Sequence, residues 1–168
     1  MARFNLVLYP DAVLRQQAEE VQNINGKVHD LVKAMQEIMY KYRGIGLAAP
    51  QVGYLQRIII ADTGDGLLTL INPEIVQKEG KERNEEGCLS LPDIHVNVTR
   101  NAEILVRGLD LNGKQRELEL MGLMARVVQH EIDHLNGRLI IDYANTVERL
   151  KMAEQLEKLE KRFKFKAL

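Results

Sequence analysis

Two histidines four residues apart, with a glutamate beside the first, mark the stretch of this chain most able to do chemistry: Gln129-His130-Glu131-Ile132-Asp133-His134. On a helix, residues four apart share a face one turn apart, so both imidazoles can reach one metal ion. The glutamate can then handle the proton of a water that the metal activates. The same pattern also arises by chance, and position decides between the two. The apolar stripe of this helix is Leu123, Met124, Val127 and Val128. Continued by three, four and seven residues, it runs into His130, Glu131, His134 and Leu135. Ionisable groups therefore stand where a buried face should continue. Buried charge is costly unless it is paired or bound to metal. A merely solvated charged face would lie on the opposite side.

A catalytic metal needs a third protein ligand and an open position. No histidine lies downstream of His134. Glu148, Glu154, Glu157 and Glu160 do, on a long amphipathic helix where they read as a solvated face. Upstream stands Cys88, the only thiol, within Glu86-Gly87-Cys88-Leu89-Ser90. A thiolate suits soft or borderline divalent metals, whereas a lone cysteine is otherwise a small buried hydrophobe. A third segment is Gly44-Ile45-Gly46-Leu47-Ala48-Ala49-Pro50-Gln51. Its Gly-x-Gly lacks the third glycine and preceding strand of a dinucleotide loop, which argues against phosphate binding there. Small residues in series suggest close approach by another backbone, and Gln51 supplies a neutral amide donor.

Together these segments resemble the peptide deformylase family, whose motifs read Gly-x-Gly-x-Ala-x-x-Gln, Glu-Gly-Cys-x-Ser and Gln-His-Glu-x-x-His. Gly44 to Gln51, Glu86 to Ser90 and Gln129 to His134 carry them in that order, and Tyr9-Pro10 with Leu14-Arg15 is also similar, so the likeness spans residues 5–145. The resemblance implies removal of the formyl group from the N-terminal formyl-methionine of nascent polypeptides, with release of formate. It implies Cys88, His130 and His134 as metal ligands and Glu131 as acid/base. Gln51 and the Leu89 N–H would be the donors to the oxyanion formed when hydroxide attacks the formyl carbon. The substrate backbone would pair with the Gly44-Ile45-Gly46 edge, with Gly87, Ile45 and Val127 close to the bound residue. One divalent ion is implied, expected to be Fe2+, with Zn2+, Ni2+ or Co2+ able to substitute. The chain departs from the family pattern at Arg43, where an acidic residue often stands, and at Asp93-Ile94-His95. His95 reads as a surface strand residue.

Two other classes compete. A metallopeptidase would share the helix motif but lacks its usual downstream ligand here. A structural zinc module would use four protein ligands, whereas this chain offers three and a glutamate with no binding task.

The elements that must position these residues follow from periodicity. Apolar residues spaced by three and four predict a helix over 28–42, stopped by Gly44 and Gly46. Short β-type segments follow at 57–62, 67–72 and 74–77, the last two split by Pro73. Two more, 103–109 and 115–121, are joined by Asp110-Leu111-Asn112-Gly113-Lys114, whose Asn-Gly is a hairpin signal. A second helix is expected over 122–135 and a third over 146–163, with Val147, Leu150, Leu156, Leu159 and Phe163 on one side. Segregated helices and antiparallel strands give an α+β class: strands packed around a central metal-binding helix, with one helix in the N-terminal half and one at the C-terminus. Residues 1–145 would form the catalytic domain, with 146–168 as an attached helix and basic tail.

The chain has 168 residues, 45% of them hydrophobic, with no tryptophan and a net charge of −1. It is long enough for one domain with a core, and its charge argues against DNA binding by bulk electrostatics. One cysteine excludes a disulfide framework and fits a reducing compartment. No membrane span or secretory leader is evident, so a cytoplasmic location is expected. Between residues 158 and 166, Lys158, Lys161, Arg162, Lys164 and Lys166 face one acid, Glu160. This end is expected to complement the helix dipole or to dock on the ribosome.

Overall fold

Asn25 starts the first helix, α1 (Gly26–Lys41): in the computed structural model, which describes residues 4–166, its side chain accepts from the Lys27 and Val28 N–H groups at 3.0 and 3.3 Å. The expected stripe from Val28 to Met39 is buried, but Tyr42 lies beyond the helix end and is exposed. Strands β1 (Gly46–Ala48), β2 (Ile58–Ala61), β3 (Leu68–Glu79), β6 (Glu103–Leu109) and β7 (Gln115–Met121) form one antiparallel sheet in the order β1-β2-β3-β6-β7. Strands β4 (Glu82–Cys88) and β5 (Leu91–Arg100) pair as a separate two-stranded ribbon. The class is α+β, as the sequence pattern predicts.

Helix α2 (Gly122–Leu135) packs on one face of the large sheet and α1 on the other. In β2, Ile58 and Ile60 join the α1 cluster while Ile59 and Ala61 join the α2 cluster. This double coverage explains a strand with no polar alternation. The β6–β7 hairpin turns at Asp110–Lys114 with Gly113 at φ +76°, as its Asn-Gly predicts.

Three expectations change. Pro73 does not split two strands; it sits inside β3, where the register against β6 shifts between Ile71 and Glu74. A bulge is where a strand tolerates proline. Asn72, at φ +52°, fixes the kink by bonding the Val21 backbone in both directions. Next, apart from a surface strand at His95, which β5 bears out, no strand is expected over 82–100, yet β4 and β5 span it. Strand β4 is too polar to signal itself; β5 alternates buried Ile94, Val96, Val98 and Arg100 with exposed Asp93, His95, Asn97 and Thr99. Finally, α3 (Thr146–Lys166) does not present one apolar side. Met152, Leu156 and Leu159 turn towards Leu91, Ile140 and Ile141, whereas Val147 and Leu150 are 59% and 73% exposed and Phe163 39%. At 3.6 residues per turn, positions 147 and 150 point away from 152, 156 and 159. No helix among the described residues is long and apolar enough to cross a membrane.

Candidate active site

Three elements deliver the polar groups. Helix α2 carries His130, Glu131 and His134; the end of β4 carries Cys88 and the turn to β5 Leu89; the short helical turn after β1 carries Gln51. Gln51 is 1% exposed. Its Oε1 accepts from the Ala48 N–H at 2.9 Å, which aims its Nε2 at Ser90 Oγ (3.1 Å) and Cys88 Sγ (3.6 Å). The amide is therefore locked in one orientation by its own loop.

Cys88 Sγ lies 3.3 Å from His134 Nε2, and His134 Nε2 lies 3.2 Å from His130 Nε2. One donor atom from each of Cys88, His130 and His134 falls within 4.8 Å of the others. Donors about 2.0–2.3 Å from one tetrahedral ion stand roughly 3.3–3.8 Å apart, so this set fits a single divalent ion of the zinc or iron type. Burial holds the His134 imidazole well below its ordinary range, helped by neighbouring His130, which favours the neutral ligand form.

The orientation of His130 comes from Glu86. His130 Nδ1 is 3.0 Å from Glu86 Oε2, which keeps a proton on Nδ1 and turns Nε2 towards Cys88 and His134. Glu86 in turn accepts from Arg100 Nε and Nη2 (2.9 and 3.0 Å) and from Arg126 Nη1 (2.7 Å). Burial works to raise the Glu86 carboxyl, but hydrogen bonds from His130 and Arg100 outweigh it and hold it at about 2. Arg100 also reaches Asp133 Oδ2 at 2.5 Å, and Tyr143 OH donates to the same oxygen at 2.6 Å.

Glu131 has no such partners among the described residues. It is 3% exposed, and burial pushes its carboxyl up to about 7. Two buried side-chain atoms lack a hydrogen-bond partner among the described residues, Glu131 Oε2 and His134 Nδ1. Gly46 makes room for Glu131: a Cβ there would meet Glu131 Oε1 and lie 2.6 Å from Val127 Cγ1. Gly44 likewise leaves space for Leu89, whose Cδ1 would be 2.6 Å from an added Cβ.

These groups line an open cleft of about 990 Å³. Its walls include Gly44, Ile45, Gly46, Gln51, Gly87, Cys88, Leu89, Val127, His130 and Glu131, thus every predicted site residue except His134, which lies beneath them. Arg43, Asp93 and His95, the departures noted above, also reach its rim.

A family model described as polypeptide deformylase matches residues 4–150. The peptide deformylase of Thermodesulfovibrio yellowstonii is 47% identical, the match covering 99% of both chains. Among solved structures, a peptide deformylase from Legionella pneumophila superposes with a TM-score of 0.89 at 36% identity, covering 95% of this chain and 96% of that one. The enzyme from Thermotoga maritima gives 0.83 at 43% identity, covering 86% and 99%. The chain belongs to the polypeptide deformylase family. That membership makes it a metal-dependent hydrolase and supports the α+β assignment.

Sequence reasoning about the deformylase motifs misses the supports. Arg100, Arg126, Asp133 and Tyr143 receive no role from spacing, and Glu86 and Gln129 enter only as motif letters. A signal exists for two of them. Arg100 takes an inward position in the alternation of β5, and Arg126 lies in the buried run of α2. Gln129 clamps the β5–β6 turn, donating to Asn101 O at 2.9 Å and accepting from Asn101 N at 3.0 Å.

Proposed function

We propose that this chain hydrolyses the N-formyl group of formyl-methionine at the start of nascent polypeptides, releasing formate and a free amino terminus. The observation that carries the reading is the convergence of Cys88, His130 and His134 on the floor of a cleft that also holds buried Glu131 and Gln51, in a chain of this family. Cys88, His130 and His134 would hold one divalent ion, expected to be ferrous, with zinc, nickel or cobalt able to substitute. When bound, the ion supplies Lewis-acid polarisation and makes a water acidic enough to attack near neutral pH.

This chain's own residues do the rest. Glu131 accepts the proton of the attacking water and delivers it to the departing amine nitrogen as the carbon–nitrogen bond breaks. Gln51 Nε2 and the Leu89 N–H donate to the oxygen on which negative charge develops. The Gly44-Ile45-Gly46 edge pairs with the substrate backbone as an added strand, and Gly87, Ile45 and Val127 bound the side chain. The catalytic unit is residues 1–145, with 146–168 as an attached helix and tail; residues 1–3 and 167–168 lie outside the described structure. The working compartment is the cytoplasm.

The basic end of α3 is proposed to face the ribosome. Lys158 and Lys161 are paired with Glu154 and Glu157 at 2.7 Å, which leaves Arg162, Lys164 and Lys166 for an anionic partner, and Lys166 reaches the rim of the cleft. Unchanged co-sedimentation of a charge-reversed 162/164/166 variant with ribosomes at low salt would remove this part.

The central test is formate release from formyl-Met-Ala-Ser by protein purified without oxygen and loaded with ferrous iron or nickel. Wild type turns over, and Glu131→Ala loses about 100- to 10,000-fold. No formate from a folded, metal-loaded wild type overturns the reading.

A further inference from the structure

Behind α2, away from the cleft, lies a second cavity of about 510 Å³ that shares no lining residue with the first. Four cations line it, Lys78, Lys81, Arg100 and Arg138, against a single carboxylate, Asp133. That carboxylate is already occupied, since Arg100 Nη1 and Tyr143 OH both donate to its Oδ2. Lys78, Lys81 and Arg138 form no ion pair among the described residues. In a chain whose net charge is −1, this concavity gathers three cations that no carboxylate among the described residues pairs.

Two of the cations, Arg100 and Arg138, are also held in place. Two guanidinium groups gather at Tyr143, with the Arg100 Cζ 4.9 Å and the Arg138 Cζ 5.5 Å from its ring centroid. Its hydroxyl accepts from Arg100 Nη1 at 3.2 Å and from Arg138 Nη1 at 3.3 Å. Arg100 is already matched by Glu86 and Asp133, so the charge left without a paired carboxylate in this cavity is that of Lys78, Lys81 and Arg138. Asn136 adds a neutral group at the wall and is fixed from behind by Arg57, whose Nη1 donates to its Oδ1 at 3.0 Å.

We propose that this cavity binds a phosphate group. A planar guanidinium fork with two ammonium groups matches the several acceptor oxygens of phosphate better than a single carboxylate. The volume exceeds that of one small ion, so the phosphate arrives attached to a larger molecule or as part of a polynucleotide backbone. Both sources share the same chemistry.

The test uses the full, metal-loaded chain at low ionic strength. Inorganic phosphate and a short single-stranded oligoribonucleotide are titrated separately by calorimetry into wild type, into K78A/K81A, into R138A and into a tail variant, R162A/K164A. All the substituted residues are exposed, and circular dichroism checks that each variant is folded. At least one probe binds wild type, and K78A/K81A or R138A weakens it about tenfold or more, the loss expected for one charge-assisted contact. Binding of phosphate assigns a small phosphorylated ligand; binding of the oligoribonucleotide alone assigns the polynucleotide backbone. The proposal is overturned if neither probe binds, if K78A/K81A and R138A bind as wild type does (as they would if phosphate sat at the metal), or if only the tail variant loses affinity.

Discussion

Ten of the fourteen residues of α2 are buried, against two of the twenty-one in α3. Both helices carry acids and bases among apolar residues, yet they treat charge in opposite ways. In α2 the polar groups lie inside and each interior charge is matched: Arg126 by Glu86, His130 by Glu86, and Asp133 by Arg100 and Tyr143. Glu131 is the exception, buried with an unpartnered oxygen. In α3 most charges stay in water: Lys158–Glu154 and Lys161–Glu157 pair one turn apart, and the few tertiary contacts are at the margin, Glu148 with Arg83 and Glu160 accepting from Tyr9 OH. Exposed pairs of this kind are screened by water and contribute little. Desolvation separates the two: a group inside must be paired or put to use, whereas a group outside need be neither.

The largest effect is expected from His134→Ala, which removes a donor that no neighbouring residue replaces. Metal measured by elemental analysis falls from stoichiometric to trace, and formate release goes with it, while α3 variants keep their metal. Glu86→Gln comes next. It leaves Arg100 and Arg126 buried without their carboxylate and costs about 3–5 kcal/mol in urea unfolding. Retained stability would mean that the interior network is not held by charge.

On α3, Met152→Ala opens a cavity against Leu91, Ile140 and Ile141 and costs about 2–5 kcal/mol. Leu150→Ala, on the exposed side, stays within about 0.5 kcal/mol. Equal costs would erase the distinction between the two sides of α3. Gly46→Ala drives a methyl group into Val127 and Glu131. It costs about 1–3 kcal/mol in stability and lowers formate release about 100-fold by displacing Glu131.

The smallest effect belongs to Asp142, just before α3. Burial works to raise its carboxyl, but Arg15, donating at 2.6 Å, and the Leu139 N–H hold it below the usual range. A depressed folded pKa contributes stability that is complete above the unfolded value of about 3.9 and is lost as pH falls through the folded value. Arg15→Ala should therefore reduce the acid-side loss of stability, by less than about 1 kcal/mol because both groups are partly exposed. Urea midpoints at neutral pH and near pH 3 measure it.

Legibility in the sequence follows the range of the interactions. The bounds of α2, the stripe of α1 and the Asn-Gly hairpin depend on neighbours within a few residues, and periodicity states them. The β4–β5 ribbon does not announce itself, because β4 is polar throughout and its pairing with β5 fixes it. The outward turn of Val147 and Leu150 follows from helical geometry, but only contact with Leu91, Ile140 and Ile141 shows which side is inside.

By itself, the sequence determined that His130, Glu131 and His134 share one helical face, because 3.6 residues per turn is a local property of the backbone. It also determined, through three motifs in order, the family. Only the tertiary structure decided that Cys88, from a turn more than forty residues earlier in the chain, stands 3.3 Å from His134. It alone decided that Glu86 orients His130 while two arginines hold Glu86 charged, and that four cations collect behind the same helix. Those arrangements depend on which strands pair and which faces are covered. Close approach between residues distant in sequence is set by burial and packing, which no local pattern encodes.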